Sequence, residues 1–347
     1  MFLDRREINR IVIIPDYLIL NFNAINIAMK PKVLQWNHIE PILSKIDVIE
    51  AMKQGFINYS KGLAEIPPVG ELIMEDPPGD VHIKYGYLRG GKHYVIKIAS
   101  GFVGNNELGI KAGQGMMLLF DIKTGQPLVI LIDEANLTDI RTGIAGAITS
   151  NELASKNVDE LLIVGTGVQA RYQAQYICQE MGITKVVLWG RDASKTSKLS
   201  NDINSNNIEI KIEKNLESAV RSSKLIITTT SARSPLISSE WVQPGTHITA
   251  VGSDTHDKCE LDYNILARAD LVVADSIEQN VLRGEIHQAL KHKAINEADL
   301  IEIGDIFENP QRGRKNDEDI TVADLTGVAV QDLVIAEAVF NALEVLN

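Results

Sequence analysis

Cysteine is scarce in this sequence, because the 347 residues include only Cys178 and Cys259. Two cysteines cannot make a disulfide framework, so the sequence predicts a reduced chain in the cytoplasm. The seven histidines are scattered, and His287 and His292 are not spaced as a metal-binding pair on one helix face would be. We therefore expect no metal site.

The sequence also has fewer basic than acidic residues. The chain has 34 Lys and Arg against 46 Asp and Glu, which gives a formal net charge of −12. An acidic surface repels phosphate backbones, and no long basic run compensates for it, so no nucleic-acid partner is expected. The hydrophobic fraction of 45% is too high for a disordered chain, and the length suits roughly two domains with real cores.

Long apolar runs are missing from residues 1–28, which differ in composition from the rest. Arginines precede two short apolar stretches at 11–14 and 17–20. A membrane span needs about 20 apolar residues, so we expect no membrane association. A targeting segment is one interpretation of residues 1–28. We favour a disordered leader or an upstream start codon, with Met29 as the true beginning.

The first half of the remaining chain has the pattern of a helix followed by strands. Periodicity predicts a helix over 46–56, with Asp47 and Glu50 near its start, three apart as in a capping box. Four β-rich runs separated by turn residues follow, at 81–87, 93–99, 115–121 and 127–133. Consecutive strands with short turns predict an antiparallel or mixed sheet.

After Leu137 the chain alternates between helical and strand patterns. Helices are predicted over 138–153 and 171–181. Strands are predicted over 159–164, 185–188, 209–212, 225–230, 247–251 and 271–274. This alternation is typical of a parallel, doubly wound sheet. The last helix, 330–346, reads as amphipathic, and we expect it to pack on the first half.

A glycine motif follows the strand 159–164 and opens a helix. In Gly165-x-Gly167-x-x-Ala170, the first glycine permits a tight turn and the second lets backbone approach a pyrophosphate. Ala170 permits close packing of the helix on the strand, and the helix N-terminus faces the phosphates. Small residues in a turn can serve packing alone, but the strand, turn and helix in this order favour a dinucleotide site.

The end of the next strand bears on the choice of cofactor. NAD sites usually place an acid there for the ribose 2′-hydroxyl, and here the strand ends in Gly190-Arg191. Arg191 suits a 2′-phosphate, so we predict NADPH, with NADH possible because Asp192 is a competing candidate. The alternative for Arg191 is a solvated surface charge.

Three charged residues lie within or next to apolar or small-residue segments, where a charge is unusual. Lys97 lies inside an apolar run, Arg141 precedes a helix rich in small residues, and Asp254 follows the strand 247–251. Each has a structural explanation. Lys97 could point outward from an edge strand, Arg141 could anchor a helix, and Asp254 could cap one.

Together these segments resemble the ornithine cyclodeaminase/mu-crystallin family. The resemblance runs from about Val33 to the C-terminus and is carried by four ordered motifs: Leu137–Ala147, Gly165–Arg171, Ala250–Asp254 and Asp324–Asp332. It implies an α/β fold, with a Rossmann-type doubly wound sheet in residues 151–321. It also implies an α+β substrate-binding and dimerisation domain formed by residues 29–150 with 322–347, and therefore a homodimer.

The resemblance also implies roles for individual residues. Lys97 and Arg141 match substrate-binding cations, Asp254 matches the catalytic acid, and we assign Lys97 to catalysis as well. The expected cofactor-binding residues are Thr142, Gly165, Thr166, Gly167, Val168, Gln169, Ala170, Arg191, Thr229, Val251, Gly252, Thr326 and Gly327.

One departure from the family pattern concerns the substrate. Cyclodeaminases carry an arginine for the substrate carboxylate where this chain has Gly70, give or take one residue. Strand alternation places Lys84 and His82 on one face, so one of them could supply the missing cation. The alternative for Lys84 is a solvent-facing lysine. The segments around 68–72, 82–87 and 97–102 look like those of members that act on cyclic imino acids.

The resulting prediction is an NADPH-dependent reductase of a cyclic ketimine, with Δ1-pyrroline-2-carboxylate reduced to L-proline in 3-hydroxyproline breakdown. Two alternatives remain open. One is a lyase of the same family, acting on ornithine or 3-hydroxyproline with bound NAD(H). The other is a protein that holds NADPH and a small ligand without turnover, although the acid at Asp254 is present.

Overall fold

Two large β-sheets and the helices that pack against them make up the computed structural model, which describes residues 30–203 and 208–346. The predicted leader, residues 1–28, lies outside the described residues. No helix in the described part of the chain is both long and apolar enough to cross a membrane.

The first sheet has seven strands and is mixed, as predicted. Strand β1 pairs with β7 in parallel, and the other pairs are antiparallel. The strands are β1 (Lys32–Gln35), β2 (Ala64–Glu65), β3 (Gly70–Glu75), β4 (Pro78–Leu88), β5 (His93–Gly101), β6 (Gly113–Asp121) and β7 (Pro127–Ile132). The helices of this part are α1 (Trp36–Leu43), α2 (Ile49–Ser60) and α3 (Asn136–Leu153).

The start of α2 differs from the prediction. The helix begins at Ile49 rather than at Ile46, and its N-cap, Val48, makes no side-chain capping bond. Asp47 Oδ1 instead accepts a hydrogen bond from the backbone N–H of Ile49 at 2.9 Å. The capping box expected between Asp47 and Glu50 is therefore absent, because the helix starts one residue too late for Asp47 to be the cap.

The second sheet has eight parallel strands, and a Rossmann-type doubly wound sheet is thereby confirmed. Its spatial order is β10-β9-β8-β11-β13-β17-β15-β16. The strands are β8 (Glu160–Val164), β9 (Lys185–Trp189), β10 (Glu209–Ile212), β11 (Leu225–Thr228), β13 (His247–Ala250), β15 (Leu271–Ala274), β16 (Ile301–Glu302) and β17 (Thr321–Asp324). The sheet therefore continues through Asp324, beyond the boundary expected at residue 321.

Helices cover both faces of this sheet, and β12 (Arg233–Ile237) and β14 (Cys259–Leu261) form a small separate pair. The helices are α4 (Val168–Met181), α5 (Ala193–Ile203), α6 (Leu216–Ser222), α7 (Tyr263–Arg268), α8 (Ile277–Asn280), α9 (Gly284–Lys291), α10 (Ile303–Glu308) and α11 (Ala329–Leu346).

After β17 the chain crosses back to the first sheet. Helix α11 packs on β4, β5, α2 and α3, as expected. Every residue from Thr321 to Ala336 is buried, so the first turns of α11 are buried on all sides rather than amphipathic. Polar side chains there, such as Gln331 and Asp332, must find partners inside the protein.

Candidate active site

The glycine motif forms the floor of a cleft at the carboxyl ends of the parallel strands. Gly165 has φ +131°, and a Cβ on it would lie 2.3 Å from Thr229 Oγ1, so only glycine fits. A Cβ on Gly167 would meet no atom within 4 Å, which leaves its backbone open to a ligand. The cleft has a volume of about 410 Å³ and lies at the N-terminus of α4. These features fit a dinucleotide pyrophosphate.

The structure brings most of the expected cofactor residues to this cleft. Ala170 is buried beneath it, and Val251 and Gly252 donate backbone hydrogen bonds to Thr228, beside the cleft. Thr326 and Gly327 lie at the charged cluster described below, where their backbone oxygens accept from Lys84, and the backbone oxygen of Thr142 accepts from Gln173 of α4. The predicted residues that line the cleft are Gly165, Thr166, Gly167, Val168, Gln169, Arg191 and Thr229.

Arg191 and Asp192 differ in what they contact. The Asp192 carboxylate caps α5, because its Oδ1 accepts hydrogen bonds from the N–H groups of Ser194 (2.9 Å) and Lys195 (3.1 Å). Arg191 is exposed at the cleft, and within residues 30–203 and 208–346 it shows no hydrogen bond or ion pair. The arginine is therefore the better placed of the two to meet a ligand.

A second site is formed by buried cations. Lys84 on β4 pairs directly with Lys97 on β5, and Arg141 on α3 lies against them. The exposed fractions of the three residues are 8%, 2% and 4%. Lys97 is thus on an interior strand and buried, which rules out the alternative of an outward-pointing edge residue, and Lys84 is not solvent-facing.

Asp332 on α11 is the carboxylate that holds this cluster. Its Oδ1 accepts a hydrogen bond from Arg141 Nε at 3.0 Å, and its Oδ2 lies 3.7 Å from Lys97 Nζ. Gln331 Oε1 accepts a second hydrogen bond from Arg141, at 2.7 Å. Sequence reasoning gave neither residue a role. The available signal was an acid in the otherwise apolar start of a buried helix.

The two lysines of the cluster have lowered pKa values. Burial, together with the charges of Lys97 and Arg141, lowers the pKa of Lys84 to about 7, although Asp332 and Asp254 act in the opposite direction. Burial also lowers the pKa of Lys97, against the attraction of Asp332. Asp332 is the carboxylate in direct contact with Arg141 and Lys97, and Asp254, Asp275 and Asp133 also act on the lysines. An added anion would favour the charged forms of both lysines.

Two backbone carbonyls complete the surroundings of Lys84. Its Nζ donates to Thr326 O at 3.0 Å and also to Gly327 O. Gly327 has φ +82°, and a Cβ on it would lie 2.8 Å from Arg141 Nη1. Glycine is therefore required where the chain crosses from β17 to α11 over the cations.

The position expected to lack an arginine is not on the Lys84 face. Gly70 pairs directly with Ile83, so a side chain at 70 would share the face of Ile83. Lys84 therefore does not occupy the place of an arginine at 70. Residue 71 is within the expected margin and pairs with His82, on the Lys84 face, but it is a glutamate.

Asp254 lies beyond the end of β13, near the cations. Its carboxylate contacts Lys258 Nζ, and its backbone oxygen accepts a hydrogen bond from Arg283. Burial acts to raise the pKa of Asp254, but Lys258 and the charges of Lys84 and His82 outweigh it, so the pKa is below its usual value. The group is therefore an ionised carboxylate at neutral pH and is not a ready proton donor.

A second cleft, of about 440 Å³, is lined by the residues that follow Asp254 in the chain, 255–258, and by strands of the first sheet. Glu71 and His82 of the first sheet and Lys258 of the loop after β13 are among its lining residues. In the described part of the chain, no group of three or more His, Cys, Asp or Glu side chains could hold a metal ion.

A glycine turn at the carboxyl ends of a Rossmann-type sheet defines a dinucleotide-binding protein, and the buried cation cluster is separate from the residues that line its cleft. The profile of the ornithine cyclodeaminase/mu-crystallin family matches residues 29–345. The chain therefore belongs to this family, as the resemblance implied.

Known relatives span nearly the whole chain. An uncharacterised cyclodeaminase, y4tK of Sinorhizobium fredii, is 36% identical over 81% of this chain and 85% of its own length. The structure of an archaeal alanine dehydrogenase dimer with bound NAD is 31% identical, has a TM-score of 0.83, and covers 91% of this chain and 97% of its own. The structure of Thermococcus litoralis Δ1-pyrroline-2-carboxylate reductase with NADH and L-proline is 28% identical, has a TM-score of 0.84, and covers 90% and 98%.

Proposed function

We propose that this protein is an oxidoreductase that reduces a cyclic ketimine with NADPH, and that its substrate is Δ1-pyrroline-2-carboxylate, which gives L-proline. The observation that carries the proposal is the buried cluster of Lys84, Lys97 and Arg141 near Asp254. Because the pKa values of Lys84 and Lys97 are lowered, a bound anion would favour their charged forms, and a substrate carboxylate would supply it. The separate carboxylate of Asp254 then suits a cationic group on the same substrate.

The relatives support this choice of substrate class. The Thermococcus litoralis reductase, whose structure contains NADH and L-proline, is similar over 90% of this chain. Proline carries one carboxylate and one ring nitrogen, which are the two charged groups that the cluster and Asp254 would bind. Because other relatives are an alanine dehydrogenase and a cyclodeaminase, other amino acids are the alternative substrates to be tested.

The charges of the site suggest how each residue contributes. A reduced nicotinamide, when bound, would supply the hydride that the imine carbon accepts. The cations would hold the substrate carboxylate and fix the orientation of the ring. Because the pKa of Asp254 is lowered, its carboxylate would stabilise the protonated ring nitrogen, whose positive charge makes the neighbouring carbon electrophilic. The proton would thus arrive with the substrate, and Asp254 would hold it on the nitrogen.

The cofactor part of the proposal rests on Arg191. A 2′-phosphate needs a cation at the end of β9, and Arg191 lines the cleft there, while Asp192 is engaged as a helix cap. Both solved relatives contain NAD or NADH rather than NADPH. Tighter binding of NADH than of NADPH would contradict this part of the proposal.

We also propose a homodimer, formed through the outer face of the first sheet. That face is apolar across its strands and carries Val33, Leu72, Tyr85 and Met116, with exposed fractions of 53%, 60%, 39% and 36%. Exposed apolar side chains that share one sheet face mark an interaction site, and a second copy would cover them. The archaeal alanine dehydrogenase relative is a dimer. A cytoplasmic location is part of the same proposal, and the unpaired Cys178 and Cys259 are in keeping with it.

The reaction is tested by following NADPH absorbance with Δ1-pyrroline-2-carboxylate, Δ1-piperideine-2-carboxylate, and pyruvate plus ammonia. We expect the highest kcat/KM with the five-membered imine, and L-proline as the product. Preference for pyruvate plus ammonia would instead make the protein an amino-acid dehydrogenase. Turnover of ornithine or 3-hydroxyproline without net NADPH consumption would make it a lyase, and no turnover with any substrate would leave a binding protein.

A further inference from the structure

The segment that crosses from β17 to α11 places one peptide group between two buried charges. On one side, Lys84 Nζ donates a hydrogen bond to Thr326 O at 3.0 Å. On the other, the N–H of Gly327 donates to Asp275 Oδ2 at 2.6 Å. The C=O of Thr326 and the N–H of Gly327 belong to the same peptide unit, so this group joins the ammonium to the carboxylate.

The carboxylate of Asp275 is buried and accepts a hydrogen bond at each of its two oxygens. Its second oxygen, Oδ1, accepts a hydrogen bond from Thr326 Oγ1 at 3.1 Å, so each oxygen faces a donor. Burial raises the pKa of Asp275 above its usual value, although the bonds from Gly327 and Thr326 and the charge of Lys84 act to lower it. Gln279 fixes the same turn, because its side-chain N–H groups donate to Thr326 Oγ1 and Gly327 O.

This arrangement has an energetic consequence. The two ends of a trans peptide point in opposite directions, so its dipole lies between the charges with its oxygen towards the cation and its N–H towards the anion. Hydrogen bonds in such a chain strengthen one another, most of all away from water. Asp275 follows β15 of the parallel sheet and Lys84 lies on β4 of the mixed sheet, so the chain connects the two halves of the protein.

We propose that Asp275 is a positioning residue for Lys84. Through the Thr326–Gly327 peptide group, Asp275 holds the Lys84 side chain in place and in its charged form. The proposal rests on the proposed function only in taking Lys84 as a cation that binds the substrate carboxylate. Asp275 itself need not touch the substrate.

Several other charges act on Lys84, and the test must separate them from Asp275. Burial and the neighbouring cations already lower the pKa of Lys84 to about 7, so the loss of one more anion would leave it uncharged near neutral pH. The charged groups that face it, besides Asp275, are His82 on its own strand, Lys97, Arg141, Asp332 and Asp254.

The first experiment compares the pH dependence of kcat/KM in wild type and Asp275→Asn. Because the variant removes an anion, its alkaline limb should move to lower pH by about one unit. At pH 8 the loss should be about tenfold and should appear in KM rather than in kcat. Asp275→Asn combined with Lys84→Arg, whose side chain stays charged, should recover most of the loss. The control is Asp262→Asn, which removes a helix-capping aspartate on α7 and should leave the profile unchanged.

The second experiment needs neither turnover nor a variant. In protein labelled with ¹³C and ¹⁵N, the ¹³Cγ signal of Asp275 should shift as Lys84 Nζ loses its proton. Independent titration of the two signals, or an unchanged alkaline limb in Asp275→Asn, would overturn the proposal. If the wild-type protein reduces no imine, the proposed function fails, whereas the NMR titration still decides whether Asp275 acts on Lys84.

Discussion

The nucleotide cleft and the cation cluster are built in opposite ways. The cleft is formed by short segments at the ends of neighbouring parallel strands, 165–169, 189–195 and 229–231, and it is open to solvent. The cluster is formed by charged side chains from four elements, β4, β5, α3 and α11, and it is buried. A change in the cleft should therefore affect one ligand, whereas a change in the cluster should spread through coupled charges.

The difference also separates two kinds of stability cost. An exposed arginine such as Arg191 is solvated whether or not a ligand is bound, so its loss should cost the fold little. A buried charge that loses its partner keeps its desolvation cost, which destabilises the folded state. Single substitutions test this contrast, beginning with Asp254, which is near the cations and does not line the nucleotide cleft.

The largest effect is expected for Asp254→Asn. The change removes the anion that would stabilise the protonated imine, and kcat should fall by about 10²- to 10⁴-fold. NADPH affinity should change less than about threefold, because Asp254 does not line the nucleotide cleft. Steady-state kinetics and fluorescence titration with NADPH measure the two quantities. As a control, Asp257→Asn in the same loop, where the carboxylate pairs with Arg233, should stay near wild type. A normal kcat in Asp254→Asn would reduce the residue to a partner for Lys258.

The next largest effect is expected for Asp332→Asn, in the free energy of unfolding. Removing the carboxylate leaves Arg141 and Lys97 buried without their anion, which should lower the free energy of unfolding by about 3–5 kcal/mol. Urea denaturation measures the loss. On the same helix, Glu344 pairs with Lys32 in an exposed position, so Glu344→Gln should cost less than about 1 kcal/mol. Equal losses in the two variants would mean that the buried cluster is no more tightly coupled than a surface pair.

Arg191→Ala tests the cleft. Loss of a charge-assisted contact to the 2′-phosphate should weaken NADPH binding by about 1–3 kcal/mol and leave NADH binding unchanged. The free energy of unfolding should not change, in contrast to Asp332→Asn. Calorimetric titration with both cofactors measures this, with Lys198→Ala on the exposed side of α5 as the control. An equal loss of affinity for NADPH and NADH would show that Arg191 does not bind the 2′-phosphate.

The smallest effect concerns a charge buried behind the cleft. Glu260 accepts hydrogen bonds from Thr230 N–H, Thr228 Oγ1 and Gly252 N–H, and burial together with the charge of Glu285 raises its pKa to about 8. The folded protein thus holds this proton up to a higher pH than the unfolded chain. The stabilisation is therefore present at low pH and is lost as pH rises from about 4.5 to about 8.

Glu260→Gln should remove this part of the pH dependence, by at least about 1.4 kcal/mol between pH 5 and pH 8. Urea denaturation at the two pH values measures it. Glu217→Gln, which removes an exposed partner of Arg221, should leave the slope unchanged. A wild-type slope in Glu260→Gln would show that the proton is held elsewhere.

Features of the site that are formed by neighbouring residues could be predicted from the sequence. Features formed by residues far apart in the chain could not. The strand, glycine turn and helix around Gly165 follow from neighbouring residues, and the structure has them at nearly the predicted bounds. The four long strands of the first sheet were equally readable from their alternation. Strand β17 was not, because four residues carry too little pattern, and the capping box failed because a shift of one residue in the helix start changes the cap.

For the charged residues, the sequence determined which side chains needed an explanation. A lysine among apolar residues at position 97 and an acid at position 332 of a buried helix are costly unless paired, whatever the fold. Only the tertiary structure decided the pairs, because Asp332 meets Lys97 and Arg141 across more than 190 residues of chain. It also decided that Gly70 and Lys84 lie on opposite faces, and that one peptide group lies between Lys84 and Asp275. The physical reason is that local pattern fixes the direction of a side chain relative to its own element, while its partner depends on how separate elements pack.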